Sequence, residues 1–214
     1  MGGLLLALQP VVILVELVVA TRWDLPYDLT RNTISDLGAA TCTTISASYG
    51  QVPVCSPWHG LMNATFLAVG LALALGPLLA RRALPLLPVV LLVVAGISSA
   101  AVGLAPLDTH SGLHGLVATP LFIAQPVALL LLAVAARRHR RSAAALLLAG
   151  LVATGGALAF AVTLVTGDVG GLYERVALWP CHLGLAVLGV SLVRGGVWET
   201  PGVSAAGATG EQAR

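Results

Sequence analysis

The chain has 214 residues, of which 57% are hydrophobic and only 9% are charged, and its mean hydropathy is +0.94. Soluble domains carry about 25% charged residues, so the composition excludes a soluble globular protein. The net charge of +2 predicts membrane lipid headgroups, and no nucleic acid, as anionic partners.

Six long apolar runs predict an all-α fold, a polytopic membrane bundle of six helices with a long extracytoplasmic first loop, because about 20 apolar residues span a bilayer. The first run has no positively charged start, so we expect a retained helix rather than a cleaved signal. The predicted spans are about residues 3–20, 59–80, 84–104, 112–135, 142–166 and 176–193, within a domain of residues 1–196. Residues 197–214, rich in small polar residues, are predicted to form a disordered cytoplasmic tail.

The arginines predict the orientation, because six spans place both termini on one side. Eight of them fall on that side and three on the other. By the positive-inside rule, both termini are expected in the cytoplasm, with the chain in the inner (plasma) membrane. The larger set is Arg81, Arg82, Arg137, Arg138, Arg140, Arg141, Arg194 and Arg214, and the smaller is Arg22, Arg31 and Arg175. The carboxylates predicted to lie outside are Asp24, Asp28, Asp36, Asp108, Asp168 and Glu174.

One long polar interval, about residues 21–58, follows the first span and contains Cys42 and Cys55. Since an extracytoplasmic loop lies in an oxidising environment, these cysteines are predicted to form a disulfide. Cys181 falls inside the sixth span and is expected to be a small buried apolar residue.

Ionisable and amide side chains concentrate at the outer end of the predicted bundle. Such groups are costly at membrane depth and face a bundle interior, a cavity or one another, so we expect one polar pocket beneath the long loop. The candidate ligand-binding residues are Asn32, Ser35, Asp36, His59, Asn63, Asp108, His114, Glu174 and Arg175.

Three kinds of chemistry fit this set. Zinc binding is suggested by His110 and His114, four residues apart, with Asp36, Asp108, His59 or His182 as candidates to complete the ligand set. General acid–base catalysis is suggested by Asp36 or Asp108 acting with a histidine. The third interpretation is structural: these groups hydrogen-bond the loop to the helix ends, with one buried ion pair, because polar groups in lipid must be satisfied.

Four segments resemble one known family, the domain of unknown function 998 family of bacterial and archaeal membrane proteins. They are Tyr27–Gly38 (YDLTRNTISDLG), Cys55–Asn63 (CSPWHGLMN), Pro106–Asp108 with Gly112–Gly115 (PLD and GLHG), and Gly171–Arg175 (GLYER). The resemblance extends to about Arg194. It implies a six-helix membrane protein, distantly similar to Frag1/DRAM-type proteins, and brings no assigned reaction.

The leading functional hypothesis is that the pocket binds a small ligand or a lipid headgroup from the outer leaflet. The first alternative is a membrane-embedded lipid hydrolase, with or without a metal. The second is a structural or accessory membrane protein. The sequence specifies neither a substrate nor an oligomeric state.

Overall fold

The computed structural model describes residues 1–24, 26–47, 50–166 and 169–195. The predicted tail at 197–214, together with Asp168 and Arg214, lies outside these residues. The helices are α1 (Gly2–Ala7), α2 (Val11–Ala20), α3 (His59–Leu79), α4 (Leu86–Leu104), α5 (Ser111–Ala135), α6 (Arg140–Thr166) and α7 (Gly170–Val193). The strands are β1 (Thr43–Ala47) and β2 (Gly50–Val54).

The described residues contain six apolar helical segments long enough to cross a membrane, with α1 and α2 together forming the first, Gly2–Ala20. From α3 to α7 each helix packs against the next along the chain, and α1 packs against both α3 and α7. The segments therefore form a closed ring in sequence order. The predicted all-α, polytopic membrane architecture is confirmed.

The first span is interrupted at residues 8–10, where the sequence predicted one continuous helix. Pro10 has no backbone N–H and stands at the start of α2, as proline does at a helix beginning. The interruption directs Gln9 into the core, where only 1% of it is exposed. Its amide donates to the Val69 carbonyl at 3.2 Å, and its oxygen lies 3.3 Å from His182 Nδ1. Gln9, which lies at this break, thus links α3 and α7 through its side-chain amide.

The sixth span begins at Gly170, six residues before the predicted start near 176. Glu174 and Arg175 therefore lie in the second turn of α7 instead of preceding the span. Both are buried and have protein partners, which allows charged residues to enter an apolar bundle. His182, expected about two turns inside the span, lies instead at the middle of α7.

α5 runs unbroken through Pro120 and Pro126, and a side chain of the neighbouring helix enters its hydrogen bonding beside Pro120. The hydroxyl of Ser98, on α4, accepts from the Leu121 backbone N–H at 3.0 Å and donates to the Val117 carbonyl. In membrane helices, serine side chains of this kind satisfy backbone groups near a proline.

We call residues 21–58 the cap, and its described residues cover one end of the bundle, referred to below as the cap end. A short 3-10 turn, Ser35–Gly38, is followed by an antiparallel hairpin whose register runs from Thr43↔Val54 to Ala47↔Gly50. The predicted Cys42–Cys55 disulfide is confirmed and closes the base of this hairpin. Apolar cap residues, Ile34, Leu37, Val52 and Val54 among them, join the hydrophobic core. The cap is therefore packed onto the helices.

The disulfide should stabilise the folded cap. Its cysteines are 13 residues apart, and closing a loop of that size restricts the unfolded chain by about 3 kcal/mol in the chain-entropy model. We expect the double variant Cys42→Ser/Cys55→Ser to unfold at a lower temperature in detergent. Alkylation of denatured protein should modify one thiol, Cys181, without reductant, and all three cysteines after reduction; three without reductant would contradict the disulfide.

Candidate functional site

Arg175 joins the cap to two helices through one buried guanidinium. Its Nε donates to Glu16 Oε1 at 2.8 Å, an ion pair in which the two side chains are 5% and 1% exposed. Its Nη1 donates to the carbonyl oxygens of Leu29, Asn32 and Gly171 at 2.6, 2.7 and 2.9 Å. The planar fork of arginine suits such a set of acceptors, and lysine could not reproduce it.

The partners of Arg175 are themselves tied into the same network, which we call the anchor (Glu16, Tyr27, Arg175 and Trp179). Arg175 Nη2 donates to the Tyr27 hydroxyl at 2.6 Å, and that hydroxyl donates to the Thr33 carbonyl at 2.8 Å. The Trp179 indole donates to Glu16 Oε2 at 2.8 Å. Both oxygens of the Glu16 carboxylate are therefore satisfied, as a buried charge requires.

The cap backbone also reaches α7 directly, at a position where only glycine fits. The backbone N–H of Gly171 donates to the Arg31 carbonyl at 3.2 Å. A β-carbon at Gly171 would collide with the backbone of Asn32 and lie 2.9 Å from Arg175 Nη1. This close approach lets residues 29–33 lie across the first turn of α7.

Asp36 holds the turn that follows. Its Oδ2 accepts from the Thr33 backbone N–H at 2.8 Å and from the Asn32 amide at 3.4 Å, while its own N–H donates to Thr33 Oγ1 at 3.1 Å. This reciprocal pair has the pattern of a capping box. Asp36 is fully buried, and its Oδ1 has no hydrogen-bond partner among the described residues. Burial raises the pKa of this carboxyl above its usual range, although the bonds from Thr33 oppose the shift.

Asp108, between α4 and α5, holds the cap from the other side. Its carboxylate accepts from the backbone N–H groups of Ala40 and Thr41 at 2.9 and 2.8 Å, and from the Thr41 hydroxyl at 2.7 Å. Partial burial alone would raise the pKa of Asp108, but these hydrogen bonds outweigh it and lower the pKa.

At α3, the Asn63 amide donates to the Gly38 carbonyl at 2.9 Å, and His59 Nδ1 lies 2.8 Å from the Ser56 carbonyl.

Ser35, His114 and Glu174 form a second hydrogen-bonded group, which we call the Ser–His–Glu cluster. His114 Nε2 lies 3.0 Å from Ser35 Oγ, and Glu174 Oε1 lies 3.1 Å from the same oxygen. His114 Nδ1 lies 2.7 Å from the Ala105 carbonyl. Glu174 Oε2 accepts from the Ile34 backbone N–H, so the carboxylate also fixes the turn that carries Ser35.

The partners of His114 fix its tautomer, and the two contacts of Ser35 Oγ require one proton beyond the serine's own. A carbonyl oxygen only accepts, so His114 Nδ1 carries a hydrogen and Nε2 of the neutral ring is an acceptor. Ser35 has one hydroxyl proton but faces both Nε2 and the Glu174 carboxylate. Both contacts are hydrogen bonds only when one further proton lies on His114 Nε2 or on Glu174 Oε1. The cluster is therefore a short proton-sharing chain centred on the serine oxygen.

A cavity of about 960 Å³ opens beside this cluster, between the cap, α5 and α6. Its polar end contains Ser35, Asp108, His114 and Glu174. From there an apolar wall extends along α5 and α6, formed by Phe122, Ile123, Val127, Ala157, Leu158, Ala161 and Leu164. Several of these wall residues are exposed in the bundle, Ile123 at 60% and Leu158 at 66%. The cavity therefore combines a small polar end with a long apolar groove on the membrane-facing side.

The structure separates the residues that the sequence grouped in one pocket. Ser35, Asp108, His114 and Glu174 line the cavity, whereas Asn32, Asp36 and Arg175 bind the cap to α7 and to itself. His59 and Asn63 attach the cap to α3. The ion pair between Arg175 and Glu16 is the buried pair that the structural hypothesis expected. Ligand binding by the cavity residues stays a prediction.

The histidines considered as zinc ligands lie in different surroundings. His110 Nδ1 lies 2.9 Å from Thr109 Oγ1, and both nitrogens of His114 have hydrogen-bond partners. His182 contacts Gln9, and it lies eight residues beyond Glu174, about 12 Å further along α7. Among the described residues no group of three His, Cys, Asp or Glu side chains could hold a metal ion.

Four participating residues escaped the sequence reasoning: Gln9, Tyr27 as an anchor hydroxyl, Thr33 and Trp179. Thr33 carried a local signal, since Thr-x-x-Asp is a capping-box pattern. The other three are ordinary residues in apolar or loop segments, and only their long-range partners identify them.

The chain belongs to the DUF998 family, described as a protein of unknown function, whose model matches residues 7–199. The class is thus a six-helix, multi-pass membrane protein, and the predicted resemblance is confirmed. No curated protein and no solved structure matches the chain.

Arg175→Ala should destabilise the protein strongly, because it leaves the Glu16 carboxylate buried without its partner. Breaking one side of a buried ion pair costs about 3–5 kcal/mol. Arg175→Lys keeps the charge but loses the fork, so it should also lower the unfolding temperature in detergent. Arg22→Lys, at an exposed arginine of the cap, is the matched control. Wild-type stability of both Arg175 variants would contradict the anchoring role.

Asp36→Asn should be at least as stable as the wild type at pH 7, because the amide keeps an acceptor for Thr33 and carries no charge to bury. Asp36→Ala removes that acceptor and should cost about 1–3 kcal/mol. The raised pKa means that ionised Asp36 disfavours the fold, and this penalty fades as the pH falls through the folded-state pKa. The stability difference between Asp36→Asn and wild type should therefore shrink on acidification. Thermal unfolding between pH 7 and pH 4 measures it.

Proposed function

We propose that the cavity binds one amphiphilic lipid, with its headgroup at the Ser–His–Glu cluster and its hydrocarbon chain in the groove between α5 and α6. The observation that carries this proposal is the shape of the cavity. Ligand sites are mostly apolar concavities with a few placed polar groups, in a volume of about 300–1,000 Å³. The cavity of about 960 Å³ is at the large end of that range.

The charges at the polar end select the headgroup. Among the described residues that line the cavity, the ionisable ones are Asp108, His114 and Glu174, and none is an arginine. Phosphate recognition uses arginine, lysine or backbone N–H groups. The polar end therefore favours an uncharged headgroup that carries hydroxyl or ester groups over an anionic one.

The lipid would enter from the outer leaflet. Support comes from the arginine asymmetry, which favours cytoplasmic termini, and from the cap disulfide, which requires an oxidising compartment. With the termini inside, the cap and the cavity lie at the outer surface of the inner membrane. The membrane-facing groove then gives a lipid lateral access without passage through water.

Filling the cavity at Gly115 should prevent lipid binding without disturbing the bundle. Gly115 lines the cavity, and a β-carbon there meets nothing within 4 Å. We expect Gly115→Phe to lose the lipid that co-purifies with the wild type, measured by native mass spectrometry of detergent-released protein.

Gly112→Phe is the matched control. Gly112 lies one turn earlier on α5, a β-carbon there also meets nothing within 4 Å, and it does not line the cavity. This variant should keep the lipid. Equal lipid retention by both phenylalanine variants would overturn the proposed binding site.

The orientation has its own test. Alkaline phosphatase fused into the cap at residue 48 should be active, and green fluorescent protein fused after residue 196 should fluoresce, because each reporter works on one side of the membrane only. The reverse pattern would place the cap in the cytoplasm and exclude entry from the outer leaflet.

A further inference from the structure

We propose that Ser35 is a nucleophile and His114 its general base, and that together they cleave a carboxylic ester in a long-chain amphiphile. The inference rests on the proposed function, since it assigns chemistry to the same cavity. It goes beyond binding because it assigns a reaction and names the atoms that carry it.

The geometry of the pair meets the requirements of an activated serine. A nucleophile and its base must lie within about 2.6–3.2 Å, with the base oriented by a third group. Ser35 Oγ and His114 Nε2 are 3.0 Å apart, and the Ala105 carbonyl holds Nδ1 at 2.7 Å. That carbonyl fixes the tautomer whose Nε2 accepts the serine proton.

The surroundings place the serine where a substrate can reach it. Ser35 is partly exposed and lines the cavity together with His114. It stands at the start of the 3-10 turn Ser35–Gly38, which is held on both sides. The Asp36 carboxylate bonds back to Thr33, whereas Ser35 Oγ lies against His114 and Glu174, so these adjacent side chains have different partners.

Glu174 acts as a positioning residue. When the shared proton lies on Glu174 Oε1, that group donates to Ser35 Oγ, and the serine hydroxyl in turn donates to His114 Nε2. This arrangement orients the serine proton towards His114 Nε2 and leaves one lone pair of Oγ without a partner among these residues. Only a hydroxyl can accept from one neighbour and donate to the other in this way.

The reaction conserves protons and electrons. Ser35 Oγ attacks the ester carbonyl carbon, and its proton passes to His114 Nε2. The bond from the acyl carbon to the alcohol oxygen breaks, and Nε2 returns the proton to that oxygen, which releases the alcohol. Water then attacks the acyl–serine carbon, giving a proton through Nε2 to the departing Ser35 Oγ and releasing the fatty acid.

The structure also sets the substrate class. The apolar groove beyond the cluster accommodates a hydrocarbon chain, and the polar end lacks the basic side chains that a phosphate would need. The substrate is therefore an ester of a long-chain fatty acid with a neutral alcohol, whose carbonyl lies at the junction of the two surfaces.

The test uses a hexadecyl fluorophosphonate on the full-length protein in detergent. In this probe Ser35 Oγ would displace fluoride from phosphorus, leaving a stable adduct that peptide mass spectrometry locates. An ethyl fluorophosphonate, which lacks the chain, should react much more slowly. The lipid content of each sample is measured in parallel by native mass spectrometry.

Three variants separate chemistry from folding. Ser35→Ala removes the labelled atom. His114→Asn can keep the bond to the Ala105 carbonyl while it lacks Nε2, and it should slow labelling by about 100-fold, the lower range for a lost general base. Ser99→Ala, at a hydroxyl bonded to the Phe66 carbonyl elsewhere in the bundle, should label at the wild-type rate. His114→Gln serves in place of His114→Asn if the latter does not accumulate.

The expected result is one adduct on Ser35 that depends on His114. Two results would overturn the assignment of Ser35 and His114 as nucleophile and base: retained lipid with no adduct on Ser35, or labelling of His114→Asn at the wild-type rate. Either result would leave the lipid-binding proposal standing. A wild-type protein that neither retains lipid nor reacts with the probe would overturn both proposals.

Discussion

The ion pair between Arg175 and Glu16, buried under the cap, is the interaction on which the arrangement of the cap end depends. A guanidinium in an apolar bundle must be paired and fully hydrogen-bonded. Arg175 meets that requirement by binding carbonyl oxygens of the cap as well as the carboxylate on α2. The cost of burying the charge thereby enforces a single conformation of residues 27–33, which would otherwise be a polar loop free to lie anywhere on the bundle.

The same turn of α7 serves the cavity. Adjacent residues on a helix point about 100° apart, so Arg175 contacts Glu16 and Tyr27 while Glu174 contacts Ser35. The turn at Ser35–Gly38 divides its side chains in a similar way, with Asp36 towards the interior of the cap and Ser35 towards His114. The residues that stabilise the cap are thus immediate neighbours of those that line the cavity. Matched control variants are therefore needed to distinguish structure from function.

The structural interpretation accounts for one part of the polar residues, and the functional interpretation of the others stays a prediction. Asn32, Asp36, Asn63, Asp108 and Arg175 satisfy backbone groups or charges of the cap, as polar groups in an apolar protein must. Ser35, His114 and Glu174 differ from this set, because their hydrogen-bond chain needs one proton beyond that of the serine and lies against a large cavity. Asp108 takes part in both, binding the cap with its carboxylate while lining the polar end.

The sequence by itself determined the membrane class, the six spans and the cap disulfide, because apolar length and cysteine position are local properties of the chain. It also located the polar residues at one end of the bundle. Only the tertiary structure decided which of them meet. Ser35 and His114 are 79 residues apart and Glu16 and Arg175 are 159 apart, so their pairing depends on how the helices close into a ring. The start of α7 was likewise predicted too late. Glu174 and Arg175 lie inside this helix because their partners, which are on distant segments of the chain, offset the cost of burying them.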